Sequence, residues 1–398
     1  MITLAELEDA RRRVSPVLVP TPVRPSAALS RLAGRPVLLK PEHLQRTGSF
    51  KIRGAYNRIS RLPPAVGVVA ASAGNHAQGV ALAASLTGRR ATIFMPLGAS
   101  LPKVEATAAY GAEVRLEGEV VDDCIALARG HAGRTGALYV PPFDDAEVIA
   151  GQGTLGLELA EEAPGAEVVV VPAGGGGLLA GVSSALHHLL PVVAVVGVEA
   201  AGAPTVAAAL AAGHPVTLGR MRTMADGIAV GTTSQLVLDH VEAYVDTMVT
   251  VEEVELSRAM LLLVERAKAV VEPSGAAGLA AVLAGRVRGD GPVVVVLSGG
   301  NVDPLLLTRI VEHGLAAAGR YLSLRVVMQD RPGALAALAA ELAALGLNVL
   351  TVEHHRFGPT PDPDQVEVLV TVETHNHAQH ARVVADLARR GFSVETLP

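Results

Sequence analysis

The 398-residue chain is half apolar and only 18% charged, which excludes a disordered chain and allows two or three packed domains. A formal net charge of −6 with interspersed signs leaves no basic stripe, arguing against nucleic acid or an anionic membrane as partner. Cys124 is the only cysteine, so an intrachain disulfide framework is excluded; with no signal-like apolar start and no apolar run near the ~18 residues of a membrane span, the expected location is the cytoplasm.

Residues 4–14 carry helical apolar spacing, and Pro16, Pro20, Pro22 and Pro25 then impose an extended lead-in. A short strand over 37–40 stops at Pro41. The loop through Thr47-Gly48-Ser49 delivers Lys51 to the start of a helix, with Ser49 as its expected N-cap. Of the 33 basic residues only Lys40, Lys51, Lys103 and Lys268 are lysines. A chain that otherwise chooses arginine thus keeps lysine between Phe50 and Ile52. Arginine stays protonated, whereas a desolvated lysine can shed its proton and act as a nucleophile, the property a Schiff-base enzyme needs. The alternative is an amphipathic lysine lying over the edge of a core.

Residues 66–71 read as a strand that ends in Ser72-Ala73-Gly74-Asn75-His76, with an alanine-rich helix from Ala77. The same order returns at 168–171, followed by Pro172-Ala173-Gly174-Gly175-Gly176-Gly177 and a helix from Leu178. It appears again at 293–297, followed by Ser298-Gly299-Gly300-Asn301. Further strands are expected at 91–95, 113–116 and 192–198. Continuous β-branched runs alternating with helices predict a parallel sheet covered on both faces. Ligands bind beyond the carboxyl ends of such strands, so the three polar-glycine loops point to one shared site.

Beyond Gly319-Arg320 the pattern changes. A strand at 322–328, a turn at Asp330-Arg331-Pro332-Gly333, a helix at 334–345, strands at 348–357 and 365–373, a helix at 377–390 and a strand at 392–396 give β-α-β-β-α-β, the ferredoxin-like plan. The proline-rich stretch 358–364 connects its two middle strands.

Gly174 to Gly177 between strand and helix lets several N–H groups converge on an anion. No Lys-Ser/Thr follows, so it is not an ATP-type loop. Gly175, Gly177 and Ala180 also fit G-x-G-x-x-A, with Glu199 following, which is a dinucleotide signature and hence an NAD-dependent oxidoreductase reading. That reading leaves Lys51 and the other two glycine loops without a role. Ser72 to His76 offers hydroxyl, amide and N–H donors for a carboxylate or phenolic oxygen, or simply caps a helix. Ser298 places a neutral hydroxyl at a strand end. His375, His377 and His380 read as solvated surface, and Glu353-His354-His355 as diverging side chains along a strand.

Taken together, Ser49-Phe50-Lys51-Ile52-Arg53-Gly54-Ala55, Ser72-Ala73-Gly74-Asn75-His76-Ala77-Gln78-Gly79, Ala150-Gly151-Gln152-Gly153-Thr154, Gly174 to Leu178, Ala225-Asp226-Gly227-Ile228-Ala229-Val230 and Ser298 to Asn301 resemble the threonine dehydratases (threonine ammonia-lyases) of the fold-type II pyridoxal-phosphate enzymes. The C-terminal segment resembles an ACT regulatory domain. The resemblance implies an α/β fold of the tryptophan-synthase-β kind. Its catalytic region would span 1–318 with two parallel-sheet lobes, the small lobe at roughly 46–145 inserted in the large one, and the ACT domain 321–398. It implies that Lys51 carries pyridoxal 5′-phosphate with Phe50 beside the ring, and that Asn75 bonds the phenolic oxygen. Gly174, Gly175, Gly176, Gly177 and Leu178 would hold the phosphate and Ser298 the ring nitrogen. Ser72, Ala73, Gly74 and Asn75 would hold the substrate carboxylate.

The implied activity is β-elimination of threonine (and serine) to 2-oxobutanoate (and pyruvate) with ammonia. The chain would feed isoleucine biosynthesis as a homodimer or homotetramer, with isoleucine or valine as effector near Gly333 and Asn348. The competing readings on the same fold are a serine racemase or serine dehydratase, or a β-replacing synthase. Racemase-like members have a serine where this chain has Ala73, which has no proton to give; Pro142-Phe143-Asp144-Asp145 also has the dehydratase form. A racemase-type metal site would map to Glu199, the Ala203 carbonyl and Thr205; threonine there removes an anionic ligand, so no metal is expected. A catalytically inert amino-acid sensor would not need Lys51.

Overall fold

The valine-rich runs are strands, and their order sets the site. In the computed structural model, which describes residues 1–317, 319–356, 362 and 364–397, Met1–Pro304 forms one compact unit and Leu305–Pro398 another. The first unit contains β1 (Arg24–Pro25), β2 (Val37–Lys40), β3 (Val68–Ala71), β4 (Ala91–Met95), β5 (Glu113–Leu116), β6 (Leu138–Tyr139), β7 (Val168–Pro172), β8 (Ala194–Ala200), β9 (Thr247–Val251) and β10 (Val293–Val296). They form two sheets, β1-β2-β10-β7-β8-β9 and β5-β4-β3-β6. Every pairing except β1 with β2 is parallel. β3, β7 and β10 are buried along their whole length, as strands covered by helices on both faces must be.

β10 lies between β2 and β7 in matching register, Val293 facing both Val37 and Val168. The chain segments after these three strands therefore leave one edge of the sheet together. Three helices cross near that edge: Lys51–Ser60, Ala146–Glu162 and Gly177–Leu189. They approach closely because glycines face one another. A Cβ on Gly151 would lie 2.5 Å from the Arg53 carbonyl oxygen, and one on Gly181 2.5 Å from that of Ile149. The Ala150-Gly151-Gln152-Gly153-Thr154 motif is thus largely a packing device, the middle of the Ala146–Glu162 helix.

A buried ion cluster pins the Lys51–Ser60 helix. Arg53 Nε and Nη2 donate to the two carboxylate oxygens of Glu42, both at 2.8 Å. Nη1 and Nη2 donate to Glu158 at 2.6 and 2.9 Å, and Nη1 also to Thr154 Oγ1 at 3.1 Å. All five guanidinium N–H groups are thereby used. Lys40, also fully buried, pairs with Glu158 and Glu162. Burial alone would lower the pKa of Arg53, but the Glu42 and Glu158 carboxylates outweigh it and hold the guanidinium charged.

The expected Ser49 cap is not made. Ser49 is extended (φ −165°, ψ 164°) and bridged to Gly299, while the Phe50 N–H donates to the Ser298 carbonyl at 3.2 Å. Backbone pairing with the 298–301 loop holds Ser49 out of capping geometry. Phe50 takes the N-cap position without a side-chain cap, and Ser49 Oγ is buried with no hydrogen-bond partner. The next helix begins at Asn75 rather than Ala77, and β8 extends to Ala200.

In the second unit the helix Pro304–Ala317 precedes β11 (Tyr321–Gln329), β12 (Val349–His355), β13 (Gln365–Glu373) and β14 (Ser393–Thr396). Helices Ala334–Ala344 and His377–Arg389 complete β-α-β-β-α-β, with antiparallel order β12-β13-β11-β14. Leu322, Leu324 and Val326 alternate inward on β11, as do Val366, Val368, Val370 and Val372 on β13. Leu338, Leu342, Val383 and Leu387 from the helices complete that core. The expected 358–364 connection falls, at 358–361 and 363, outside the described residues. Glu353 and His355 do not diverge: two residues apart on β12, they share a face and pair at 3.3 Å on its exposed surface. No helix among the described residues is long and apolar enough to cross a membrane.

Candidate active site

Lys51, first residue of its helix, is stitched to the strand ends by backbone bonds. Besides the bridge from Ser49 to Gly299, Gly300 N–H donates to the Gly48 carbonyl at 2.8 Å and Glu272 N–H to the Gly299 carbonyl at 3.1 Å. The Lys51 ammonium donates to the Pro142 carbonyl at 3.2 Å and lies 5.0 Å from the Phe50 ring centroid. Burial pulls its pKa from 10.5 down to about 8, with the Glu272 carboxylate acting in the opposite sense. The free amine is thus within reach of neutral pH. Burial and the Lys51 charge together hold the neighbouring His76 imidazole down to about 3, although its Nε2–H bonds the Val140 carbonyl at 2.9 Å. His76 is therefore a neutral packing group.

One residue beyond the Lys51 contact, Phe143 covers the glycine loop. A Cβ on Gly175 would fall 2.2 Å from the Phe143 ring, and one on Gly177 2.7 Å from Phe143 Cβ. Only glycine fits there, and the loop therefore lies against the Pro142–Phe143 segment that holds Lys51. Gly176 (φ +86°) turns the chain into the Gly177–Leu189 helix, whose first turn no side chain caps. Amides there face outward with the positive end of the helix dipole, the arrangement that binds a phosphate. Thr233 Oγ1 steadies the loop from the Gly175 carbonyl at 3.0 Å.

The 72–75 loop ends at the N-terminus of the Asn75–Leu86 helix, with the Gly74 N–H donating to Ser72 Oγ at 3.2 Å. The Asn75 carboxamide donates to Glu272 Oε1 at 2.7 Å and accepts from Asn301 Nδ2 at 2.7 Å. Ser298, buried, follows β10 and Leu297 directly. Ser49 and Phe50 are thus bonded to the 298–301 loop, which Asn301 ties to Asn75 of the 72–76 loop, while Pro142 meets Lys51 and Phe143 lies against Gly175 and Gly177. Glu272, the Pro142 carbonyl, Phe143 and Gln152 were not singled out as site residues. A lone acid in the apolar stretch 269–273, before a proline at a helix start, was the available signal for Glu272. Gln152 stood in the Ala150-Gly151-Gln152-Gly153-Thr154 motif without an assigned role; its Nε2 donates to the Pro142 carbonyl at 3.3 Å, and its Oε1 is buried without a partner.

Other sequence candidates fall elsewhere. Glu199 accepts N–H bonds from Val206 at 2.6 Å and Ala207 at 2.9 Å, so both oxygens serve the start of the Thr205–Ala212 helix. Burial pushes its pKa up to about 7 against those bonds. Thr205 Oγ1 donates to the Val230 carbonyl. Glu199 is thus engaged at that helix start, and among the described residues no group of three or more His, Cys, Asp or Glu is placed to hold a metal ion. Gly333 and Asn348 do not adjoin within one chain. Gly333 follows the Gln329 end of β11, and Asn348 lies at its Tyr321 end, since Val349 opposes Val372 and Val372 opposes Leu322. Eight strand steps separate those ends, about 26 Å.

A partly deprotonated buried amine, a helix-N-terminal anion cup, an amide and a strand-end hydroxyl fit pyridoxal phosphate, and the buried unpartnered Ser49 Oγ and Gln152 Oε1 mark polar capacity beside Lys51. Residues 14–299 match the family described as pyridoxal-phosphate dependent enzyme, and 322–387 match the ACT domain. An L-threonine ammonia-lyase of Thermotoga maritima is 44% identical over 397 residues, 99% of each chain. The crystal structure of a T.th. threonine deaminase superposes with TM-score 0.73 at 42% identity, covering 76% of this chain and 99% of that one. Maize serine racemase superposes with TM-score 0.74 at 34% identity, covering 79% and 98%. The fold and site thus define a pyridoxal-phosphate-dependent enzyme with a C-terminal ACT domain. Within that class the chain belongs to the threonine ammonia-lyase family, the carbon–nitrogen lyases.

Proposed function

We propose that this chain deaminates L-threonine to 2-oxobutanoate and ammonia, and L-serine to pyruvate, with Lys51 carrying the cofactor. The observation that supports it most is Lys51 itself: a buried amine with its pKa drawn down to about 8, preceded by backbone pairing of Ser49 and Phe50 with the loop after β10. Pyridoxal phosphate, when bound, supplies an aldehyde that condenses with amines and a ring that withdraws electrons from the carbon beside them. The amides of Gly174 to Leu178 would hold its phosphate, Asn75 its phenolic oxygen and Ser298 its ring nitrogen. A neutral hydroxyl cannot keep a proton on that nitrogen as a carboxylate would, so the electron sink is weak and prompt elimination is favoured. With the substrate's amine in its place on the aldehyde, the released Lys51 Nζ would take the substrate's Cα proton; the C–H electron pair would become the Cα=Cβ bond, and the β-hydroxyl would leave with a proton as water. The enamine then takes up water and releases ammonia. The N–H groups of the 72–75 loop would hold the substrate carboxylate.

Ala73, with only a methyl group, cannot protonate the opposite face of Cα, which disfavours racemisation. The ACT domain supports regulation by an amino acid, and isoleucine or valine is the proposed effector because 2-oxobutanoate is an isoleucine precursor. Since Gly333 and Asn348 sit at opposite ends of one sheet, an effector site using both takes two copies, tying regulation to a homodimer or homotetramer. A cytoplasmic location is proposed with it. Borohydride reduction followed by peptide mapping tests the assignment: the label should fall on the Lys51 peptide, and Lys51→Ala should abolish 2-oxobutanoate formation. Labelling elsewhere, D-serine as main product from L-serine, or threonine saturation curves unmoved by both isoleucine and valine would each refute the corresponding part.

A further inference from the structure

Asn75 can present either end of its carboxamide, and which end faces a ligand decides whether it donates or accepts. Two neighbours remove that freedom. The Thr47 carbonyl, which can only accept, takes a hydrogen bond from Asn301 Nδ2 at 2.7 Å. The same nitrogen gives its other hydrogen to Asn75 Oδ1 at 2.7 Å. Asn75 Nδ2 in turn donates to Glu272 Oε1 at 2.7 Å, and Ser274 Oγ donates to that oxygen at 2.8 Å. The run Thr47–Asn301–Asn75–Glu272–Ser274 therefore has one direction, set by a backbone carbonyl at one end and a buried carboxyl group at the other.

The backbone around it is shaped for the purpose. Thr47 holds φ +62°, which non-glycine residues seldom adopt and which places its carbonyl beside Asn301. Gly48 follows at φ +70°, and a Cβ there would lie 2.4 Å from Asn301 Oδ1. On the far side a Cβ on Gly299 would meet Glu272 Oε1 at 2.4 Å and Asn75 Nδ2 at 2.9 Å. Glycines at 48 and 299 thus leave just the room these side chains occupy.

We infer that Asn301, Glu272 and Ser274 are positioning residues that lock the Asn75 carboxamide nitrogen-outward. One N–H stays available for an acceptor, the deprotonated phenolic oxygen of pyridoxal phosphate, and a protonated phenol is disfavoured there. The inference rests on the proposed contact between Asn75 and that oxygen.

The test measures pyridoxal 5′-phosphate dissociation constants and absorption spectra on the full-length chain. Glu272→Ala and Asn301→Ala should each weaken cofactor binding about 10-fold and move absorbance from the visible band to the near-ultraviolet band of the protonated phenol. Glu272→Gln, which still offers Asn75 and Ser274 a carbonyl acceptor, should stay within about 2-fold of wild type. In the Asn75→Ala background, Glu272→Ala should add less than about 2-fold, because its effect runs through Asn75. The Asn301→Ala pair provides the same cycle should Glu272→Ala fail to fold. Fold-losses that multiply in the double variants, an unmoved spectrum in both single variants, or Glu272→Gln as damaging as Glu272→Ala would overturn the inference alone. An Asn75→Ala variant with wild-type affinity and spectrum would overturn the cofactor contact and the inference with it.

Discussion

Replacing Arg53 by methionine should be among the most destabilising single changes in the catalytic unit. Arg53 and Glu42 are both completely buried, and Arg53 makes two of the three hydrogen bonds to the Glu42 carboxylate, leaving only the Thr21 hydroxyl at 2.5 Å when it is gone. Removing one partner of a buried pair strands the other charge, at a cost of about 3–5 kcal/mol. Glu158 adds less, since it keeps Lys40 at 2.7 Å. Neutralising the stranded acid isolates the cause. Arg53→Met with Glu42→Gln should recover about 2 kcal/mol of that loss, a coupling energy outside the additive range. The assay is urea unfolding of the full chain followed by far-UV circular dichroism for wild type, both single variants and the double variant. A loss below about 1 kcal/mol for Arg53→Met, or a double variant no more stable than Arg53→Met, would show that the cluster does not hold the Lys51–Ser60 helix in this way.

Three further outcomes follow from the site. Gly175→Ala should lower pyridoxal-phosphate affinity at least about 10-fold, measured by fluorescence titration, because its Cβ would fall 2.2 Å from the Phe143 ring and overpacking displaces that ring or the loop. The apo-protein should take up pyridoxal phosphate about five times faster at pH 8 than at pH 7 and level off above, since a lysine with pKa about 8 is roughly 10% free at the lower pH and half free at the higher; stopped-flow absorbance reads this, and a rate still climbing tenfold per unit above pH 9 would place the amine at an ordinary lysine value. His76, held near 3 against 6.5 for free imidazole, contributes stability that is complete above about pH 6.5 and declines as pH falls toward 3. Between pH 6.5 and 4.5 the loss is about 2 kcal/mol, so His76→Gln should flatten the acid limb of a denaturation–pH profile by about that much; an unchanged limb would mean that His76 is not the buried neutral base.

How much was legible follows from the range of the forces involved. The sequence by itself determined the strands, the three glycine-bearing loops, the change to an antiparallel domain near residue 320 and the chemical distinctness of Lys51. Each is a local property: β-branched runs, glycine at turns, and one lysine among arginines. Tertiary structure alone decided what those residues do to one another. Lys51 meets the Pro142 carbonyl across 91 residues, Asn75 meets Glu272 across 197 and Asn301 across 226, and no periodicity encodes such pairings. Ser49 shows the conflict directly, since a serine placed to cap a helix is drawn into a bridge with Gly299 and its hydroxyl goes unused. Gly333 and Asn348 show it again: plausible partners in sequence, they are separated by the full length of β11 because strand direction, not sequence distance, fixes which ends meet.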